Sequence, residues 1–278
     1  MRYAVGLPNI GGYGDPGLLV ELAVSAEDAG WDGVFLWEHL LYREPDWPVA
    51  NPVVVAAAIA ARTRRIRFGI MVNAVARRHP GQLAAEAATL DVLSGGRLVF
   101  GAGLGSYPDE WTRFGADADQ RLRAERLDEG LAAVTALWSG QPATLHGSHV
   151  RVDGVRMPLT PVQRPRIPIW CGGRWPAKRP FRRAARWDGV MPTHRDYGLG
   201  ETMPPDELAA VVKYVREHRD PGAGPFDVVL EGRSEPGGGA GVVAPYADAG
   251  LTWWIEALGW WRGGLDVVRK RIAAGPPR

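Results

Sequence analysis

Apolar positions along the chain alternate between short continuous runs and helical spacing, the pattern of parallel strands joined by helices. Residues 3–7 read as the first strand. Asp15-Pro16 then opens a helix in which Leu19, Leu22, Ala23 and Ala26 share a face, and Gly30 ends it. Residues 33–37 form the second strand, and Asn51-Pro52 opens a Val/Ala-rich helix that runs to Ala61. A third strand spans 66–72. Pro80 starts a helix carrying Leu83, Ala87 and Leu90, Gly95-Gly96 stops it, and 98–101 is the fourth strand. Leu127, Leu131, Val134 and Leu137 give one apolar face to a helix over 121–138. Residues 146–152 read as a small hairpin or flap inserted before the fifth strand. That strand begins at 167–170 with Pro168 near its start, and strands at 188–191, 227–230 and 252–257 follow. Eight strands alternating with helices predict an α/β fold of the (β/α)8 barrel type, a single domain over residues 1–278. The Pro/Gly-rich stretches at 220–225 and 236–239 are read as loops within it. An open doubly wound sheet would announce itself with a Gly-x-Gly-x-x-Gly turn after the first strand, and Gly11-Gly12-Tyr13-Gly14 lacks that spacing.

Composition adds modest limits. With 278 residues, 46% of them hydrophobic, the chain can bury a large core. A formal charge of +2 gives no electrostatic reason to expect nucleic acid. The single cysteine, Cys171, excludes an intrachain disulfide and fits a reducing cytoplasm. The start, Met1-Arg2-Tyr3-Ala4-Val5-Gly6-Leu7-Pro8, carries no signal-peptide pattern, and no apolar run reaches the roughly 18 residues a membrane span needs. The expected partners are a small-molecule substrate and at most a second copy in a homodimer, with neither nucleic acid nor membrane.

The most informative stretch begins at Arg77-Arg78-His79-Pro80 and continues through Thr89-Leu90-Asp91-Val92-Leu93-Ser94-Gly95-Gly96-Arg97-Leu98-Val99-Phe100-Gly101-Ala102-Gly103-Leu104-Gly105. It reads as a strand end, a helix, a glycine stop and a buried strand that opens into a glycine-rich loop. In order and spacing it closely resembles the luciferase-like flavin-dependent oxidoreductases, the group that includes bacterial luciferase and many deazaflavin-dependent enzymes. The resemblance covers most of residues 1–195 and weakens after Glu201. It implies the luciferase-like barrel and a noncovalent flavin-type ring. Two chemistries follow from it: hydride transfer with the deazaflavin coenzyme F420, or monooxygenation with FMN and O2. Richness in alanine, arginine and glycine hints at a GC-rich genome, where actinobacterial deazaflavin enzymes are common, and tilts the expectation to F420. A family member that binds the ring without turnover is the third reading.

In such a barrel the chemistry gathers at the C-terminal strand ends. The rule selects Pro8-Asn9-Ile10, Glu38-His39, Val72-Asn73, Gly103 to Ser106, Cys171 to Trp175, and Pro192 to Arg195. Glu38 and His39 match the place where family members often carry an acid followed by histidine, and they are the catalytic candidates. A histidine there can handle a proton beside the ring, or be a hydrogen-bonded structural residue. The resemblance implies a bulge with a non-proline cis peptide at Met71-Val72-Asn73 behind the ring; a normal strand end is the alternative. Gly103, Leu104, Gly105 and Ser106 offer unobstructed backbone to the ring or its phosphate. Ser106 stands where the family's sugar-phosphate dehydrogenases typically carry an acid. Cys171, Gly172, Gly173 and Arg174 resemble the family's phosphate loop ahead of a helix start, with Lys178 as a further cation. Arg182, Arg183 and Arg186 are read as a solvated face, and Cys171 itself as a small core residue without a nucleophile's role. His194 and Trp175 are the substrate-side candidates. His146 and His149 lack a ligand cluster, so no metal is expected.

Overall fold

The computed structural model describes residues 1–194, 196, 198, 200–237 and 239–277. Eight parallel strands close into a barrel: β1 (Arg2–Leu7), β2 (Gly33–Leu36), β3 (Arg67–Ala74) and β4 (Leu98–Gly103), then β7 to β10. Between β4 and β7 lies an antiparallel hairpin of β5 (Ala143–His146) and β6 (Arg151–Val155), as the sequence predicts. The second half of the barrel is β7 (Ile169–Trp175), β8 (Gly189–His194), β9 (Asp227–Gly232) and β10 (Trp253–Ala257), with β10 pairing back onto β1.

The helices start where local chemistry directs. Asp15 caps α1 (Pro16–Asp28) by accepting from the Gly17 and Leu18 N–H groups, and Asn51 caps α2 (Pro52–Arg62) through Val53 and Val54. Proline takes the first turn of both and of α3 (Pro80–Ser94), which ends at left-handed Gly95, φ 65°. The short α4 (Asp109–Thr112), missed in the sequence, precedes α5 (Gln120–Trp138). Then come α6 (Lys178–Ala184), α7 (Pro205–His218), α8 (Gly239–Asp248) and α9 (Leu265–Ala273). No helix among the described residues is long and apolar enough to cross a membrane.

Strand alternation sorts every barrel residue to one of two sides. Outward residues such as Val5, Leu36, Phe100, Cys171 and Val190 join the large core beneath the helices. Inward residues form a separate cluster of Ala4, Phe35, Met71, Val99, Trp170, Met191, Val229, Trp253 and Ile255. Its centre is an aromatic plug: Phe35, Trp170 and Trp253 have ring centroids 5.2, 5.9 and 5.3 Å apart. Two residues further along the strands, the same inward face carries Gly6, Trp37, Gly101, Gly172, Thr193 and Glu231. The bulky cluster below gives the barrel a solid floor, and the upper layer, with three glycines beside Trp37, Thr193 and Glu231, forms a shelf near its C-terminal mouth.

Candidate active site

The rim of that shelf is organised by one arginine and two acids. Glu38 follows β2 and faces β3, where its carboxylate accepts from the Ala74 N–H at 2.6 Å and pairs with Arg77 at 3.0 Å. Arg77 also pairs with Glu110 at 3.1 Å, and Glu110 accepts the Leu40 N–H at 2.7 Å. The second Arg77 acid contacts His39: Nδ1 and Glu110 Oε1 lie 3.0 Å apart. Glu110 is 1% exposed. Burial alone would raise its pKa, but the His39 hydrogen bond, the Leu40 N–H and Arg77 together hold it below the usual carboxylate range. An ionised carboxylate only accepts, so the His39 Nδ1 carries the proton and donates, leaving Nε2 for other partners. Asn9 fixes the segment from behind, accepting from the His39 N–H at 3.1 Å and donating to the His39 and Ala50 carbonyls at 3.0 and 2.8 Å.

His39 thus reaches the rim as expected, while Glu38 anchors Arg77 and the β3 end. Glu110 was not foreseen. Its only sequence signal is an acid in the first turn of a four-residue helix, a place where most acids are solvated.

At the end of β3 the Met71–Val72 peptide is cis and the register with β4 shifts between Ile70 and Asn73, the expected bulge. Met71 joins the inward cluster, and Val72 packs against it. Val72 occupies the space that glycines leave: a Cβ on Gly103 would overlap its Cγ2, and one on Gly172 would lie 3.1 Å from its Cγ1. Asn73 departs from expectation. Its amide donates to the Gly101 carbonyl at 2.8 Å and borders a small cavity with Leu83, Glu86 and Ala87 on the helix side. It locks the bulge and does not face the mouth. Gly105 takes φ 74°, and Arg123 donates to its carbonyl at 3.1 Å; Leu104 packs towards the outer core and Ser106 is exposed.

The second half of the barrel corrects several expectations. Gly172 and Gly173 lie inside β7, not at a helix start, since α6 begins at Lys178. They face opposite ways. Gly172 is inward, whereas a Cβ on Gly173 would come 2.6 Å from the Pro180 Cβ of α6, so its lack of a side chain serves strand–helix packing. Cys171 is fully buried on the outer side, and burial pushes its thiol up to about 12, as befits a core residue and not a ring contact. Arg174 shares the inward face with Trp170 and Gly172 and is exposed. Trp175 turns outward against Phe181 and Tyr214, and Lys178 sits 3.4 Å over its ring, so neither points to a substrate. His194 also faces outward, 3.6 Å from Glu207 of α7. Arg183 is no solvated residue: it pairs with Asp128 of α5 at 2.8 Å and is 5% exposed. Arg195 lies outside the described residues.

Aromatic rings complete the mouth. Trp37 stacks on Trp261 with centroids 5.3 Å apart, Trp260 packs edge-on to Trp47 at 4.9 Å, and Tyr42 lies between His39 and Trp47.

The chain is similar to known proteins in sequence and in fold. A family model described as luciferase-like monooxygenase matches residues 5–233. The F420-dependent glucose-6-phosphate dehydrogenase of Nakamurella multipartita is 34% identical over 164 residues, 58% of this chain and 48% of that protein. The chain therefore spans about half the length of that curated relative. Among solved structures, an F420-dependent secondary alcohol dehydrogenase in complex with an F420-acetone adduct superposes with a TM-score of 0.76 at 16% identity, covering 98% of each chain. The FMN-bound oxygenating constituent of 3,6-diketocamphane monooxygenase from Pseudomonas putida gives 0.66 at 17% identity, covering 98% of this chain and 84% of that one. These two likenesses concern the fold. With the matched model extending over most of the barrel, the chain belongs to the luciferase-like monooxygenase family.

Proposed function

We propose that the protein is an oxidoreductase that holds a noncovalent flavin-type ring on the shelf above the aromatic plug, with coenzyme F420 preferred to FMN. The observation that carries this reading is the His39–Glu110 pair, at 3.0 Å, on the rim of a shelf floored by Phe35, Trp170 and Trp253. Gly101, Gly103 and Gly172 make room for Met71 and Val72, and these two side chains give a flat ring its apolar backing. When bound, F420 supplies the hydride chemistry that no side chain here can perform.

The chain's own residues do the rest. Glu110 holds the His39 ring in one tautomer and orientation, so that Nε2 gives or takes the substrate proton. Glu38 and Arg77 keep Glu110 in place. The Gly103-Leu104-Gly105 backbone lies along one edge of the shelf, and Arg174 is the cation that meets the anionic end of the ring's side chain. Ser106 brings no carboxyl to the β4 end, so sugar-phosphate oxidation is not carried over from the relatives. The single cysteine fits a reducing cytoplasm as the place of action.

FMN with O2 is the second reading, supported by the FMN-bound neighbour of the same fold. Titrating F420 and FMN separately with the purified protein, read by fluorescence quenching, tests both. Saturable F420 quenching with weaker FMN quenching is the expected outcome. Tight FMN binding without F420 binding would favour the monooxygenase, and quenching of neither would refute the ring-binding shelf.

A further inference from the structure

One carboxyl at the mouth takes no part in the His39 network. Glu231 stands two residues beyond Val229 on β9, so it faces the lumen, where it is half-buried. Its Oε1 accepts from the Trp37 Nε1–H at 3.4 Å. Gly6 of β1 makes the place for it, since a Cβ there would lie 3.1 Å from the same oxygen. Three other acids of the barrel strands and their loops are matched by cations. Glu38 and Glu110 share Arg77, and Glu256 on neighbouring β10 faces outward to Arg262 and Arg271. Among the described residues, no cation lies within ion-pair distance of Glu231. Burial pushes its carboxyl pKa up, against the Trp37 donor, and a cation bound beside it would favour the ionised form.

The surroundings are aromatic. Trp37 carries Trp261 stacked on it at 5.3 Å and meets Trp260 edge-on at 6.3 Å, and Trp260 continues the wall to Tyr42 at 5.8 Å. Ring faces present the negative part of the aromatic quadrupole, which attracts a cation most strongly when water is displaced. Glu231 meets the Trp37 ring at its N–H edge, and a carboxyl without its own cation, beside rings whose faces are negative, complements positive charge.

We propose that the substrate is an organic cation, a protonated amine or a quaternary ammonium, whose nitrogen lies beside Glu231 in the mouth that Trp37, Trp260 and Trp261 wall. This rests on the reading of the mouth as the place of ring and substrate. The bound nitrogen balances the buried carboxylate, and the rings replace its lost hydration. A neutral alcohol of the same shape gains only a hydrogen bond, and an anion meets like charge.

Benzylammonium, benzyl alcohol and benzoate are probes of one shape and three charges. Their affinities, measured by calorimetry at neutral pH with and without F420, should rank cation first by at least about tenfold over the alcohol, with benzoate last. The near-isosteric Glu231→Gln variant, checked for folding by circular dichroism, should reduce the cation's advantage to about twofold or less. Wild-type protein that binds the alcohol as tightly as the cation, or binds no benzylammonium, overturns the proposal without any variant. A Glu231→Gln protein that keeps the preference overturns it too. Failure of the ring-binding reading would register separately, as absent F420 and FMN quenching.

Discussion

His39 and Glu110 stand 71 residues apart in sequence, and His39 Nδ1 lies 3.0 Å from Glu110 Oε1. The pair fixes the orientation of a rim histidine and leaves Nε2 as the nitrogen proposed to exchange the proton. Replacing His39 by alanine should lower turnover by about 10²–10⁴-fold, while the affinity for the ring changes little. Steady-state kinetics beside a fluorescence titration separate the two effects. Equal losses of turnover and ring affinity would make His39 a binding or structural residue.

Glu110→Gln acts on the same proton from one step away. The amide still accepts a hydrogen bond but leaves Arg77 with a single acid, Glu38. Turnover should fall less than in His39→Ala, because the ring keeps a hydrogen-bond partner but loses the acceptor-only carboxylate that fixes its tautomer. Wild-type turnover in steady-state kinetics would leave Glu110 with a packing role only.

The depressed Glu110 pKa also sets a stability window. A carboxyl whose pKa is lower folded than unfolded adds stability above its unfolded value, roughly 4.3, and loses it as pH falls through the folded value. The stability difference between wild type and Glu110→Gln, from urea denaturation, should therefore be full near pH 7 and shrink steadily below about pH 4. A difference independent of pH would show that ionisation of Glu110 contributes nothing.

Val72 and Gly103 occupy one volume, so substitutions there should couple. Gly103→Ala alone sets a methyl against the Val72 Cγ2 and should destabilise by about 1–3 kcal/mol. Val72→Ala removes the obstructing methyls, so the double variant should be more stable than the sum of single losses predicts, by about 0.5–3 kcal/mol. Chemical denaturation of the four proteins in the cycle measures it. Strict additivity would mean that the bulge moves aside at no cost.

Behind the barrel, Glu256 is fully buried and meets Arg262 at 2.8 Å and Arg271 at 3.3 Å, tying α9 to β10. Glu256→Leu removes the buried carboxylate that Arg262 and Arg271 share and should cost about 3–5 kcal/mol, read as a lower denaturation midpoint. A loss below about 1 kcal/mol would show that the arginines find water instead.

The barrel was legible because buried strands and amphipathic helices impose different periods, and these alternate along the whole chain. Strand ends were read too short for a physical reason. The periodicity signal fades where apolar residues give way to Gly101-Ala102-Gly103, Gly172-Gly173-Arg174 and Pro192-Thr193-His194, yet these continue β4, β7 and β8. Extending the strand assigns alternate faces, and that separates inward Gly172 and Arg174 from outward Cys171, Gly173 and Trp175. His39 could be placed by its position after β2. Glu110 could not, because a buried acid and a solvated helix-start acid look alike until Arg77 and His39 are brought beside it. Glu231 was findable from Val229 by alternation alone.

The shelf above the aromatic plug is the centre of the account, and Gly172 is its most direct probe. Gly172→Leu would project a branched side chain into the lumen beside Val72, whereas its neighbour Gly173 faces the helices. The dissociation constant of F420 for wild type and Gly172→Leu, measured by fluorescence quenching on protein checked for folding by circular dichroism, is the measurement. A weakening of at least about tenfold, about 1.4 kcal/mol, is the predicted result. An unchanged dissociation constant in a folded variant would place the ring elsewhere and contradict the account.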